Sequence, residues 1–317
     1  MKTPNGMKAL NGMKTSNGIK APNGMKTPNG MKTSNGIKAP NGMKTSNGMK
    51  TSNENSGYIE LMNLDSQGMR AIRGKRISMI FQEPMTALNP VHRIKKQMNE
   101  VHGLHRPSMG VREMTAKSLE LLDQVGIATP ENVIECYPHQ LSGGMRQRVM
   151  IAMALASEPD ILIADEPTTA LDVTVQAQIL DLIRNLQKSK NMSVILITHD
   201  LGVIAENCND AVVMYGGRVA ERARVETLFK NPSHPYTRGL LHSIPARAPS
   251  PGTILPAIPG MVPSLEEMPK GCRFAPRCSH VGDICHKISP EEIAIKGDHG
   301  HFAACHLHAG ETGTGTV

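Results

Sequence analysis

Apolar and polar positions change rhythm several times along the chain, and each change marks an element. Ile161, Leu162, Ile163 and Ala164 form a continuous apolar run, the pattern of a strand buried on both faces. A second run, Ile77 to Phe81, follows a charged connection holding Arg70, Arg73, Lys75 and Arg76, and a third, Val194 to Thr198, predicts another strand. Helical spacing recurs between them. Val175, Ile179, Leu182, Ile183 and Leu186 share one face of a helix over 172–189, with Asp172 placed as its N-cap. Met98 to Val125 is polar and helical, with Leu119, Leu122 and Val125 on one face, and Val149 to Leu155 is apolar enough for a buried helix. Asn209 to Tyr215, the Gly216-Gly217 turn and Arg218 to Glu221 read as a closing hairpin. Apolar strands alternating with helices predict an α/β fold with a parallel sheet.

The first 48 residues follow a different rule. Met1 to Gly48 is eight hexapeptides of the form [MI]-K-[TA]-x-N-G, and a ninth, starting at Met49, breaks at Glu54. One apolar residue in six makes no core, Asn-Gly favours turns and evenly spaced lysines repel, so residues 1–56 are expected to be disordered. A six-residue solenoid coil and a basic tether for anionic lipid or RNA are the rivals. The repeat also relocates the charge. The net +7 of the 317 residues includes nine lysines and no acids within residues 1–53, so the rest of the chain is slightly acidic. A nucleic-acid footprint over the body is thereby disfavoured. No apolar run reaches the roughly 18 residues of a spanning helix, and no apolar signal core opens the chain, so a soluble or peripheral, cytoplasmic protein is expected.

The chemistry concentrates in LSGGMRQRVMIAMALASEPDILIADEPTTALD, Leu141 to Asp172. Ser142 sits where an N-cap belongs, and Gly143 and Gly144 let backbone amides approach an anion at a helix start. The strand after that helix delivers Asp165 and Glu166 to its carboxyl end, where ligands bind in parallel sheets. Asp165 fits a magnesium ligand, and Glu166 fits a general base that polarises water against a phosphoryl group. A lone Asp-Glu pair is more often a plain capped turn. Gln82, in RGKRISMIFQEPMTALNP between Arg73 and Pro90, ends a strand within reach of a metal or water, and His199 follows the strand Val194 to Thr198, placed to bond a γ-phosphate. Each of these alone would be an ordinary surface residue.

Together, in this order and spacing, they resemble the Q-loop (Gln82), signature (Ser142, Gly143, Gly144), Walker B (Asp165, Glu166), D-loop (Asp172) and H-loop (His199) of an ABC-type ATPase. NPSHPYTRGLLHSIP, Asn231 to Pro245, resembles the segment that follows the cassette in ATPases of the oligopeptide and dipeptide importers. The resemblance departs at the front. A phosphate-binding loop is G-x-x-x-x-G-K-[ST], whereas the repeat places Met or Ile between each glycine and its lysine, as in Gly42, Met43, Lys44, Thr45, and no other stretch carries the motif. A Walker A loop is therefore not expected.

Four cysteines follow in the tail, Cys272, Cys278, Cys285 and Cys305, separated by five, six and nineteen residues. Zinc modules usually use C-x2-4-C knuckles, which this spacing lacks, so a 4Fe-4S cluster is expected before zinc, with free thiols as the third reading. Several members of the resembling family carry such a cluster on this extension, and CRFAPRC through HFAACH matches that pattern. His299, His301, His306 and His308 are either substitute ligands or a solvated cluster, and Cys136 and Cys208 are structural.

The resemblance implies an α/β ABC-type P-loop NTPase cassette, truncated at its amino terminus, with a helical lobe carrying the signature and a parallel sheet that has lost a central strand. The expected domains are the repeat over 1–56, a partial ATPase domain over 57–230 and an importer-type extension over 231–317. The implied role is the subunit that binds and hydrolyses ATP with Mg2+ to energise import of oligopeptides or dipeptides, peripheral on the cytoplasmic face of the cell membrane. Its implied partners are a second cassette paired head to tail, two membrane permease subunits and an extracytoplasmic solute-binding protein, with no nucleic acid. Two alternatives stay open: a catalytically degenerate cassette that lends only its signature to a partner, and a soluble ABC protein acting on nucleic acid, disfavoured by the near-neutral body and the importer-type tail.

Overall fold

The computed structural model describes the backbone of residues 36–38 and residues 58–83, 87–169, 171–244, 250 and 255–309. Most of the hexapeptide repeat therefore lies outside the described residues. Of it, Gly36–Lys38 forms strand β1, which pairs antiparallel with β2, Tyr58–Glu60. The described chain falls into two compact units, one running through Ile197 and the other beginning at Thr198.

In the first unit the charged connection after β2 holds a helix that the apolar pattern does not predict. Asp65 accepts from the Gly68 amide at 2.7 Å and so caps α1, Ser66–Ile72, whose Ile72 is buried. Strand β3, Ile77–Ile80, stops one residue short of the predicted run, and Phe81 is exposed. The single polar helix expected from Met98 to Val125 is two helices, α2, Ile94–His105, and α3, Val111–Gln124. Pro107 and Gly110 fall between them, and a proline disfavours helical backbone in the residue before it. Then come α4, Gly143–Leu155, β4, Ile161–Asp165, α5, Val173–Lys190, and β5, Ser193–Ile197.

Strand β4 lies between β3 and β5 in a three-stranded parallel sheet, with Ala164 opposite Ile80 on one side and Leu196 on the other. Leu162 and Ala164 on one face are fully buried, and on the other Ile161 is buried and Ile163 half-buried, so the strand is covered on both faces. The core around them takes Ile151 and Leu155 from α4, Leu122 from α3 and Ile179 from α5. Burying side chains of this size contributes about 1.5–3 kcal/mol each. Helix α5 begins and ends as its sequence dictates. The Asp172 carboxylate accepts from the Val175 amide at 2.9 Å, and Asn191 closes the helix in the left-handed region at φ 51°.

The second unit starts with α6, Leu201–Asn207, capped by Asp200, and the hairpin of β6, Asp210–Tyr215, and β7, Arg218–Arg224. Gly216 and Gly217 both have positive φ, 53° and 79°, which a two-residue hairpin turn of the mirror-image type demands. Helices α7, Val225–Lys230, α8, Pro235–His242, and α9, Asp283–Lys287, follow, then the short strands β8, Ile293–Ala294, and β9, Phe302–Ala303. The resulting sheet is antiparallel in the order β6-β7-β9-β8. Arg222 ties it together, stacking over the Phe302 ring at 4.0 Å and bonding Glu292 at 2.6 Å.

Candidate functional site

The first unit brings Gln82 and Glu166 together. Because β3 and β4 are parallel neighbours, the residues just past their carboxyl ends lie side by side, and the Gln82 side-chain amide donates to Glu166 Oε2 at 3.0 Å. Asp165 is the last residue of β4, and both acids are half-buried. Glu166 itself has φ 44°, an unfavourable backbone for a residue with a Cβ. It is held there by its amide, which donates to Ile197 O at 2.9 Å, and by the turn after it, which the Thr169 amide closes onto Glu166 O at 3.1 Å. A non-glycine residue kept in this region by its surroundings is a recurrent feature of functional sites. Two adjacent carboxylates at a strand end supply the oxygen donors that a hard divalent cation takes.

The start of α4 forms the second part of the site. Ser142 is its N-cap, accepting from the Met145 amide at 3.3 Å, and Ser142 and Gly143 are exposed, so amides of the first turn face solvent with the positive end of the helix dipole. Gly144 has a packing role that the motif alone does not reveal, whereas a side chain at Gly143 would meet only ordinary contact. A Cβ on Gly144 would sit 3.1 Å from Val175 of α5, and one on Gly143 would sit 3.7 Å from Leu171. Gly144 thus lets the start of α4 approach the start of α5, next to the capping Asp172. His199 follows β5 in sequence, belongs to the second unit and is exposed.

In the second unit the four tail cysteines line one cavity of about 140 Å³, which they share with Phe274, Ile284 and Leu307. None of the six cysteines of the chain is in a disulfide. Burial pushes the Cys272 and Cys278 thiols up and Cys305 up to about 11, which favours the protonated form. Among the described residues no three His, Cys, Asp or Glu side chains converge as a metal ion needs. The expected 4Fe-4S cluster, and zinc with it, is therefore not supported.

The tail histidines are neither ligands nor a solvated cluster as a group. His301 is buried and its Nε2 bonds Glu221 Oε1 at 2.7 Å, His306 bonds Ile288 O at 2.9 Å, His308 bonds Ser233 O at 3.2 Å, and His299 is exposed. Glu221 is fully buried and also accepts the amides of Ser233, at 2.6 Å, and His234, at 2.9 Å. Burial pushes its carboxyl up, but the bonds from His301, Ser233 and His234 outweigh that and hold it below the usual range. Sequence reasoning missed this buried polar centre. A strand acid gives no local sign that its partners lie 12 and 80 residues away.

Comparison with known proteins agrees with both halves. An ABC transporter model matches residues 46–169, and a model of the oligopeptide/dipeptide transporter C-terminal region matches residues 220–285. The oligopeptide transport ATP-binding protein AppD of Bacillus subtilis is 51% identical over 242 residues, spanning 76% of this chain and 72% of AppD. The chain belongs to the ATP-binding subunits of the oligopeptide/dipeptide ABC importer family. A protein of Sinorhizobium fredii named "probable peptide ABC transporter ATP-binding protein" is likewise 51% identical, over 77% of this chain and 72% of its own length. OppD of Mycobacterium tuberculosis is 48% identical over 78% of this chain and 40% of its own length. The dimeric structure of the bacterial ABC transporter cassette MJ0796 is 30% identical, covering 53% of this chain and 70% of that one, with a TM-score of 0.47. The family match and the relatives give the chain the mixed α/β fold of an ABC cassette.

Proposed function

We propose that this chain is the ATP-binding and ATP-hydrolysing subunit that energises import of oligopeptides or dipeptides across the cytoplasmic membrane. The observation that carries the reading is Glu166, strained at the end of β4 beside Asp165 and bonded by Gln82 from the end of β3. Bound Mg-ATP would supply the phosphoryl group, and because no G-x-x-x-x-G-K-[ST] loop is found in the sequence to anchor it, its binding at this chain's own site is proposed on the strand-end residues and on the family. In that complex Asp165 would hold the cation, Glu166 would orient and deprotonate the attacking water and Gln82 would answer to metal and water, while His199 keeps the role its sequence position implies, a bond to the γ-phosphate. Ser142, Gly143 and Gly144 act across a head-to-tail pair, presenting the start of α4 to the nucleotide of the partner cassette, and Asp172 holds the neighbouring start of α5.

The same reading divides the chain into a repeat over 1–56, a cassette over 57–230 and an importer-type extension over 231–317. It places the subunit peripherally on two permease subunits fed by an extracytoplasmic solute-binding protein. No helix among the described residues is long and apolar enough to cross a membrane, which agrees with a peripheral position. The relatives bear the names of peptide or oligopeptide transport ATP-binding proteins and give the degenerate alternative no support. Uptake of labelled peptides of two to about seven residues (an assay range) into vesicles carrying the assembled transporter tests the assignment. We expect uptake that requires ATP on the side of this subunit. ATP turnover stimulated by a different solute, with no peptide of the panel taken up, would reject the substrate class.

A further inference from the structure

Glu166 is bonded by a second side chain, one that no motif assigns. Thr169 Oγ1 donates to Glu166 Oε2 at 2.8 Å, the same oxygen that accepts from Gln82 at 3.0 Å. We propose that Thr169 is a positioning residue for Glu166, fixing the plane of the carboxylate that faces the attacking water. The inference rests on the reading of Glu166 as general base.

Three observations support it. Donors reach one carboxylate oxygen from two directions, one from the end of β3 and one from the turn after β4, so rotation of the carboxylate is restrained. The backbone beneath is fixed as well, by the Glu166 amide on Ile197 O, by the closed 166–169 turn and by the buried Pro167 inside it. The two donors also differ in kind. Gln82 belongs to a separate strand end and is exposed, so a ligand that engages its amide takes it from Glu166. Thr169 lies three residues from Glu166 and is tied to it by a backbone bond, so it stays with the carboxylate when Gln82 leaves. A threonine closing a turn onto its first residue is commonly a local structural bond. What separates the two roles is whether the rate depends on the hydroxyl.

Steady-state ATP hydrolysis by the assembled transporter decides this, comparing Thr169→Val, Thr169→Ser and Glu166→Gln. Valine keeps the branched shape and removes the donor, and serine restores it. We expect Thr169→Val to lower kcat about tenfold with KM for Mg-ATP unchanged, as a misaligned base does. Thr169→Ser should recover most of the rate, and Glu166→Gln should abolish it. A wild-type kcat in Thr169→Val while Glu166→Gln is inactive would overturn the role of Thr169 and leave the base in place. A Thr169→Val defect confined to KM, or one that serine does not rescue, would show a merely structural bond and overturn it too. Normal turnover in Glu166→Gln would overturn the base assignment and this inference with it.

Discussion

Two positions carry backbone demands that their side chains do not explain. Glu166 occupies the left-handed region at φ 44° because the bond to Ile197 O and the turn to Thr169 fix both sides of it. Gly271 is required for a different reason: a Cβ there would lie 2.3 Å from Cys285 O, a backbone atom. No rotamer change relieves such a contact, and the Cys272 amide bonds that same carbonyl at 2.8 Å. Gly271→Ala is therefore expected to destabilise the second unit by about 1–3 kcal/mol or more. Urea denaturation read by hydrogen exchange of peptides around Cys272 measures it. At this scale the sequence shows chemistry better than geometry. Asp165, Glu166 and Ser142 are legible from type and order, whereas Thr169 has no marker beyond its place in PTTALD, and the packing of Gly144 against Val175 needs α5 in place to be seen.

Among the elements, those with strong local signals are where the pattern puts them. Helix α5 has its Asp172 cap and apolar stripe, and the β6-β7 hairpin has two glycines at its turn. The elements that escape prediction are set by something the hydrophobic period does not record: an aspartate cap for α1, and a proline break that divides α2 from α3. The buried centre of the second unit escapes altogether, because Glu221 on β7 meets Ser233, His234 and His301 only after the chain has folded back. Glu221→Leu should leave two amides and an imidazole without their acceptor, at a cost of about 3–5 kcal/mol. The same centre makes the unit acid-sensitive. Burial lowers His234 from 6.5 to about 4, so between those values the unfolded chain binds a proton that the folded chain does not. Stability therefore falls as pH drops from about 6.5 towards 4, by up to about 3 kcal/mol from this group. Below the ordinary carboxyl range Glu221, whose folded value is also lowered, adds to the loss. Hydrogen exchange of β7 and α8 at pH 7, 5.5 and 4.5 should show progressive loss of protection. Equal protection at all three would contradict the assignment.

In the whole molecule, two sets of residues are proposed to meet ATP. One is the strand-end set of Asp165, Glu166 and Gln82, expected to work on nucleotide at this chain's own site. The other is the start of α4, expected to close on nucleotide at the partner's site. Comparing ATP turnover of the assembled transporter carrying Glu166→Gln or Ser142→Arg tests that assignment most directly. Ser142→Arg places bulk and a cation at the exposed helix start, and Glu166→Gln removes the base, so the account expects each to reduce turnover by about 100-fold or more. Undiminished turnover in Glu166→Gln, with Ser142→Arg inactive, would contradict it and show a chain that lends its signature and hydrolyses nothing itself.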